Sequence, residues 1–172
     1  MTLVLRRYRW SDREAVWELH RTCLAQVGIF EGDGVYYDDD MPRINQVYLA
    51  DRGDFLVGEV EGAGIVAMGG LRRLDEETAE VCRLRVHPDF QRRGFGAQVL
   101  VALEESARKL GYRALRGDTT LRQGAALELY RKFGWRELRR EDRGGLVVVY
   151  GEKPLVPESS PQLIVRSNSP IT

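Results

Sequence analysis

The sequence predicts a mixed α/β (α+β) domain with a mostly antiparallel, twisted sheet of about seven strands and helices on both faces. Two observations carry this prediction. Short alternating or continuous apolar segments mark strands, whereas longer segments with apolar residues three or four apart mark helices. These segments follow one another as β-α-α-β-β-β-α-β-α-β-β, and short turns between strands favour antiparallel pairing.

The N-terminal part of the chain begins with an alternating strand over residues 2–8. Ser11-Asp12-Arg13-Glu14 has the pattern of a capping box, and apolar residues at helical spacing follow it, which predicts the first helix. Residues 28–41 show no apolar period and are interpreted as a loop. A short helix is expected to begin near Pro42, because proline suits a first helical turn.

In the rest of the domain, turn residues and glycines mark the ends of the predicted elements more clearly. The predicted elements, in chain order, are strands at 55–60, 65–74 and 78–86, a helix at 94–110, a strand at 113–118, a helix at 124–133, and two closing strands around 141–145. A four-residue connection joins the first two of these strands as a hairpin. Gly111 and Gly134 follow the two helices, as expected for residues that end a helix.

Composition and charge exclude several classes of protein. The 172 residues suffice for one domain with a sizeable core, and 26 basic residues balance 26 acidic ones, so no global field favours nucleic acid. Cys23 and Cys82 lack metal-ligand neighbours, which predicts reduced thiols, no metal site and a cytoplasmic location. The first apolar run is too short for a signal peptide or membrane anchor. We therefore expect one domain, over residues 1–153, without nucleic-acid or membrane partners.

The last residues differ in character from this domain. Residues 154–172 are rich in proline and serine and almost without charge, which predicts a flexible C-terminal tail. The apolar triplet Leu163-Ile164-Val165 within this tail can still add an edge strand, either to its own sheet or to that of a neighbour. A homodimer therefore stays open.

The most informative segment is the basic, glycine-rich turn Gln91-Arg92-Arg93-Gly94-Phe95-Gly96, between a predicted strand and a predicted helix. Gly94 and Gly96 let backbone N–H groups converge on an anion, and the following helix adds its first-turn N–H groups and positive dipole end. Arg92 and Arg93 add positive charge and forked donors. The segment predicts a phosphate cradle, with a pyrophosphate as the bound anion.

This turn resembles the Gln-x-x-Gly-x-Gly loop that binds acetyl-coenzyme A in the GCN5-related N-acetyltransferase (GNAT) family. Further on, the run from Ala126 through Leu129-Tyr130 to Gly134-Trp135 resembles that family's Ala-x-x-Leu-Tyr-x-x-x-Gly-aromatic helix. A nucleotide-binding domain of another fold would need Gly-x-Gly-x-x-Gly, which this turn lacks. The resemblance covers roughly residues 2–153. It implies the GNAT fold, an N-acetyltransferase domain, acetyl-CoA as cosubstrate and coenzyme A as product.

The resemblance also implies cofactor contacts outside the glycine loop. In the family, the strand before the loop separates from its neighbour and binds the pantetheine arm through its backbone, as though the arm were a further strand. The matching positions are Leu84, Arg85 and Val86. The family usually has asparagine three residues before the alanine of the second signature. This chain has Gln123 there, whose amide is expected to hold the cofactor from a longer arm.

Acyl transfer to an amine needs a group that takes the amine's proton and a group that protonates the departing thiolate. The resemblance places Tyr130 beside the thioester sulfur, as acid and as cofactor contact, whereas packing in an apolar helix face is the alternative. Strand alternation puts Glu80 on one face with Cys82, Leu84 and Val86. A charge there is costly unless it opens onto a cleft, and many family members carry glutamate at this position. Glu80 is therefore the expected base, acting through water, and a merely solvated residue is the alternative.

The expected function is acetyl-CoA-dependent transfer of an acetyl group to a primary amine by direct attack on the thioester. The acceptor is a small-molecule amine or a peptide N-terminus, and a non-catalytic acyl-CoA-binding regulatory module is the alternative. Acids and aromatic residues in the loop 28–41 predict a compact cationic acceptor, and a merely solvated acidic loop is the alternative that their irregular spacing and the neutral net charge favour. The side chains concerned are Glu31, Asp33, Asp38, Asp39 and Asp40 with Phe30, Tyr36 and Tyr37.

Overall fold

The computed structural model describes residues 1–32 and 38–155. The strands are β1 (Val4–Arg7), β2 (Asp54–Val60), β3 (Gly64–Arg73), β4 (Thr78–Val86), β5 (Ala114–Thr120), β6 (Arg136–Arg143) and β7 (Leu146–Pro154). The longer helices are α1 (Arg13–Gln26), α2 (Phe95–Lys109) and α3 (Gly124–Lys132). One sheet contains the strands in the order β1-β2-β3-β4-β5-β7-β6, and β4 and β5 form its parallel pair. The predicted fold class and element order are confirmed.

Apolar side chains cover both faces of the sheet. On one face, α2 packs Val99, Leu100 and Leu103 against the strands. On the other face, α1 packs together with short helical turns at Met41–Arg43 and Asn45–Leu49. The short helix expected near Pro42 thus exists as these turns. Among the described residues, no helix is long and apolar enough to cross a membrane.

A β-bulge in β4 changes the predicted pattern of side chains. Two residues of β4 stand opposite one residue of β3, and the bulged residue Arg83 has a φ of 56°. Because of this extra residue, Cys82 packs on the α1 side of the sheet, whereas Leu84 and Val86 pack on the α2 side. The prediction that Glu80 and Cys82 share one face with Leu84 and Val86 is therefore wrong. Alternation assumes a regular pleat, which the bulge interrupts.

The parallel pair separates soon after it begins. β4 and β5 pair over Thr78–Val81 and Ala114–Gly117, while β5 continues to pair with β7 as far as Thr120. A cleft of about 310 Å³ opens between the two strands beyond that point. The separation that the family resemblance implies is present.

The start of α1 differs from its predicted capping box. The helix has Asp12 as its N-cap residue and no side-chain cap hydrogen bond. Instead, the Asp12 carboxylate accepts hydrogen bonds from the Arg9 backbone N–H and the Arg6 guanidinium, each at 2.8 Å. Ser11 lies inside the short turn that precedes the helix. The capping prediction was wrong because the helical turns begin one residue before Ser11, and the Asp12 carboxylate caps them by accepting from the Arg9 backbone N–H.

The first two residues of the predicted tail, Pro154 and Leu155, belong to the described structure. Pro154 pairs with Ala114 as the last residue of β7, and Leu155 is buried in the core. The remainder of the predicted tail, including Leu163-Ile164-Val165, lies outside the described residues.

Candidate active site

The cleft between β4 and β5 brings the two predicted catalytic residues together. Glu80 contributes to its wall from β4, and Tyr130 contributes from α3. The expectation that Glu80 opens onto a cleft is therefore met. Asp118 of β5 adds a carboxylate to the same cleft, and Arg83 and Arg85 add positive charge.

Glu80 is fixed in place by two donors. The Arg72 guanidinium donates to its Oε1 at 2.9 Å, and the Cys82 thiol donates to the same oxygen at 2.8 Å. Burial and the adjacent Glu80 carboxylate raise the pKa of the Cys82 thiol well above its usual value, so this cysteine stays protonated. Glu80 is thus a paired carboxylate at the cleft, rather than a freely solvated residue at the start of a strand.

Tyr130 combines both interpretations made from the sequence. Its ring packs against the indole of Trp135, with the ring centroids 4.8 Å apart. The residue is half-buried and also lines the cleft. Packing therefore holds the ring, and a position on the cleft wall suits a group that exchanges a proton with a bound molecule.

Asp118 is the cleft carboxylate that the sequence analysis missed. It follows Gly117, the last residue of β5 that pairs with β4. Asp118 is exposed at the open side of the cleft. Partial desolvation and the charge of Glu80 still raise its pKa, although Arg83 and other arginines oppose this rise. Sequence reasoning missed Asp118 because nothing in the sequence indicated which strand pairs with β5.

The two glycines of the predicted phosphate cradle have different surroundings. Gly94 caps the N-terminus of α2 with a φ of 79°, and a Cβ built on it would meet nothing within 4 Å. A Cβ on Gly96 would instead lie 3.4 Å from Leu129 and 3.7 Å from Val86. The open space beside Gly94, at a helix N-terminus, fits an anion, whereas Gly96 lets α2 approach α3 and β4 closely.

The side chains of the loop divide into exposed and internal ones. Arg92 and Arg93 are exposed, and Arg92 has a φ of 63°. Phe95 is 3% exposed and belongs to the core. The Gln91 side chain donates a hydrogen bond to the backbone oxygen of Val86 at 2.9 Å. It also exchanges hydrogen bonds with the side chain of Gln26 on α1. Gln91 and Phe95 therefore hold the loop in place and offer main-chain groups to a ligand.

The predicted pantetheine positions are not equivalent. Leu84 and Arg85 line the cleft. The backbone oxygen of Val86 already accepts hydrogen bonds from Gln91 and from the Cys23 thiol, the latter at 3.3 Å. Leu84 and Arg85 are therefore better placed than Val86 to pair with an extended ligand through the main chain.

Gln123 is engaged at the start of α3. Its Oε1 accepts hydrogen bonds from the Thr119 hydroxyl at 2.8 Å and from the Thr120 backbone N–H at 3.2 Å. These bonds tie the end of β5 to α3. The predicted contact between this amide and the cofactor stays a prediction, and the oxygen has a structural role in the described chain.

The described acids of the loop 28–41 are each paired with another side chain of the protein itself. Asp40 is buried, and its two oxygens accept hydrogen bonds from the Arg83 guanidinium at 2.7 and 3.1 Å and from the Tyr48 hydroxyl. Burial alone would raise the pKa of Asp40, but Arg83 and Tyr48 outweigh burial and lower it. Asp38 lies 2.7 Å from the Nε2 atom of buried His20. The other two described acids form exposed ion pairs, Glu31 with Arg21 and Asp39 with Arg43.

This pairing weakens the prediction of a cationic acceptor read by the loop. Arginines already balance the charges of Glu31, Asp39 and Asp40, so the described carboxylates do not form an uncompensated acidic wall. Asp33, Tyr36 and Tyr37, which completed the predicted wall, lie outside the described residues.

Known structures resemble this fold over almost the whole chain. An acetyltransferase of the GNAT family from Staphylococcus aureus has a TM-score of 0.79, with 18% identity, and the match covers 90% of this chain and 100% of the other. The protein yncA from Salmonella typhimurium, solved with its cofactor acetyl-CoA, has a TM-score of 0.74, with 18% identity, and the match covers 95% of this chain and 99% of the other. These likenesses establish the GNAT fold.

The sequence itself places the chain in this family. A model of the acetyltransferase (GNAT) family matches residues 13–135, and the chain therefore belongs to the GNAT acetyltransferase family. The uncharacterised N-acetyltransferase YjgM of Escherichia coli is 25% identical over 139 residues, which are 78% of this chain and 83% of the relative. The resemblance identified from the two sequence signatures is confirmed, and acetyl-CoA is the cosubstrate of the family.

Proposed function

We propose that this protein is a cytoplasmic N-acetyltransferase that moves the acetyl group of acetyl-CoA to a primary amine by direct attack on the thioester. The observation that carries the proposal is the cleft between β4 and β5, which has Glu80 and Tyr130 on its walls. The acceptor is a small-molecule amine or a peptide N-terminus.

The binding residues follow from the geometry of the glycine loop and the separated strands. Main-chain N–H groups around Gly94, at the start of α2, suit the pyrophosphate, and Arg92 and Arg93 complement its charge. The backbone of Leu84 and Arg85 suits the pantetheine arm, because β4 has left β5 at these residues. When bound, acetyl-CoA supplies an activated acetyl group and a thiolate leaving group.

The catalytic roles follow from the chemistry that the amine and the thiolate require. Glu80, fixed by Arg72, is a candidate to accept the amine's proton through water. Tyr130 is a candidate to give a proton to the leaving sulfur, because a neutral phenol is a donor at neutral pH. The presence of both groups on one cleft favours an enzyme over a regulatory module that only binds acyl-CoA.

Tyr130→Phe tests the catalytic part of this proposal, because it removes the hydroxyl and keeps the ring that packs on Trp135. We expect turnover to fall by about 100-fold or more, with unchanged affinity for acetyl-CoA. A thiol-detecting dye with pooled amines measures turnover, and calorimetric titration measures affinity. Tyr8→Phe, in the core beneath α1, is the matched control and is expected to keep full turnover.

The alternative functions predict different results. Equal losses of binding and turnover in Tyr130→Phe would assign this tyrosine to packing alone. A wild-type protein that binds acetyl-CoA tightly but releases no thiol with any amine in the pool would be a regulatory module instead.

A further inference from the structure

Asp118 lies on β5 at the point where the cleft between β4 and β5 begins. Glu80 and Arg116 are partners in the parallel register of β4 and β5, and Asp118 lies two residues beyond Arg116. Side chains alternate along a strand, so Asp118 lies on the same face as Glu80. It is also the first β5 residue after the pairing with β4 ends, where a ligand can enter between the strands.

Four carboxylates line the cleft, Asp39, Asp40, Glu80 and Asp118, and they differ in what they already bind. Oε1 of Glu80 accepts hydrogen bonds from both Arg72 and Cys82. Within residues 1–32 and 38–155, the side chain of Asp118 makes no hydrogen bond and no ion pair. Since Glu80 is held by Arg72 and Cys82, and Asp39 and Asp40 pair with arginines, Asp118 is the cleft carboxylate available to an incoming amine.

The charges around Asp118 set its affinity for a proton. The charged groups that face it are Glu80, Arg83 and Arg85 from β4 and Arg143 from β6. Desolvation and the negative charge of Glu80 are the two influences that raise the pKa of Asp118, and the three arginines lower it by smaller amounts. The net rise brings this carboxylate nearer to the pKa of an effective base at neutral pH.

We propose that Asp118 is a further catalytic residue, which binds the acceptor's ammonium group and takes its proton. The inference rests on the proposed function and changes the assignment of the base. Glu80 then acts as a fixed negative charge that strengthens both the binding of the ammonium group and the basicity of Asp118.

The proton balance of the reaction follows directly. The acceptor ammonium gives one proton to the Asp118 carboxylate, which later releases it to solvent. The free amine nitrogen forms a bond to the acetyl carbon, and the carbon–sulfur bond breaks. The Tyr130 hydroxyl gives its proton to the departing sulfur and is reprotonated by the second proton of the former amine. One acetyl group is transferred and one proton is released in each turnover.

Titration of the carboxyl group tests this assignment without any turnover. Carbon-13 NMR of protein labelled at aspartate carboxyl carbons is recorded across pH, and the resonance lost in Asp118→Asn identifies the group. We expect its titration midpoint to lie above that of an ordinary aspartate and to fall in Glu80→Gln, because a like charge is removed. A titration midpoint of Asp118 that stays the same in Glu80→Gln would overturn the proposed coupling between the two carboxylates.

Kinetics then distinguish the two candidate bases. In Asp118→Asn we expect kcat to fall by about 100-fold or more, with the loss of the acidic limb of the pH profile and an unchanged KM for acetyl-CoA. In Glu80→Gln we expect the acidic limb to persist but to move to lower pH. Asp118→Glu should restore part of the rate and the limb, and Glu105→Gln, on the exposed surface of α2, is the control.

The contrary results separate this inference from the function on which it rests. Loss of the limb in Glu80→Gln together with its retention in Asp118→Asn would make Glu80 the base and overturn the inference alone. A wild-type protein that transfers acetyl to no amine would contradict the proposed function and, with it, the catalytic role of Asp118. If circular dichroism shows that Asp118→Asn is unfolded, Asp118→Glu and the Glu80→Gln profile decide the question.

Discussion

A buried ion pair anchors the bulge that opens the cleft, and Asp40→Asn tests how much this anchor contributes. Arg83 has a φ of 56°, a conformation that costs an L-residue roughly 1–2 kcal/mol. Its Nη2 and Nε donate to the two oxygens of Asp40 at 2.7 and 3.1 Å, and the Tyr48 hydroxyl donates to the same carboxylate. Asparagine keeps the shape of the side chain but loses the charge, and its amide nitrogen cannot accept a hydrogen bond.

The structure sets the size of the expected effect. Arg83 and Asp40 have side chains 12% and 9% exposed, so solvent screens the pair weakly. Breaking one side of such a buried pair costs about 3–5 kcal/mol. Asp38 stays 4.0 Å from the Arg83 guanidinium and offsets part of the loss, which favours the lower end of that range. We therefore expect a loss of about 3 kcal/mol and a fall in Tm of about 6–12 °C for a domain of this size.

Thermal unfolding at neutral pH, followed by circular dichroism, measures this shift. Asp39→Asn is the matched control, because this neighbouring carboxylate is 81% exposed and pairs with Arg43 at 3.7 Å. Such a surface pair contributes about 0–1 kcal/mol, so Tm should change little. Asp40→Asn combined with Arg83→Gln should lose less stability than the two single losses added together. Equal shifts in Asp40→Asn and Asp39→Asn would refute the view that this ion pair anchors the bulge.

Two further predictions concern the glycine loop and the buried histidine. Gly94→Val fills the open space at the start of α2 and should abolish acetyl-CoA binding in calorimetric titration, whereas Gly111→Val, similarly strained at a φ of 88°, should leave it intact. Burial and the charges of Arg85 and Arg83 lower the pKa of His20 from 6.5 to about 4 against the opposing effect of Asp38, so the unfolded chain binds more protons between these values. The free energy of unfolding should therefore fall as pH drops through this window. Urea unfolding at a series of pH values should show that this free energy depends less on pH in His20→Asn than in the wild-type protein.

Local signals in the sequence predicted the parts of the site that local backbone geometry defines. The cradle depends on Gly94, whose positive φ and position at a helix N-terminus follow from the order strand, glycine-rich turn and helix. β4 runs over Thr78–Val86, with the bounds that its apolar pattern and the following proline predict. The bulge moves Leu84 and Val86 to the other face of β4 from Glu80. Glu80 still lines the cleft as predicted, because the bulge comes after it in the strand.

Features that depend on pairing between distant segments were not predictable in this way. The side chain of Arg83 at the bulge pairs with Asp40, which lies 43 residues earlier in the chain. Asp118 became visible as a site residue only through the parallel pairing of β4 with β5, because that pairing ends immediately before it. A pattern read along a single strand carries no information about its neighbour, so both features required the sheet.

The acidic loop shows how buried side chains on other elements decide what a run of charges does. Asp38 and Asp40 lie close together in the sequence, yet one pairs with His20 of α1 and the other with Arg83 of β4. Arg83 lies at the bulge and lines the cleft, so a change in Asp40 reaches the cleft through the backbone of β4. The described acids of this loop are therefore held by side chains of the protein itself, and the proposed binding of the acceptor rests instead on Asp118, the cleft carboxylate that has no partner among the described residues.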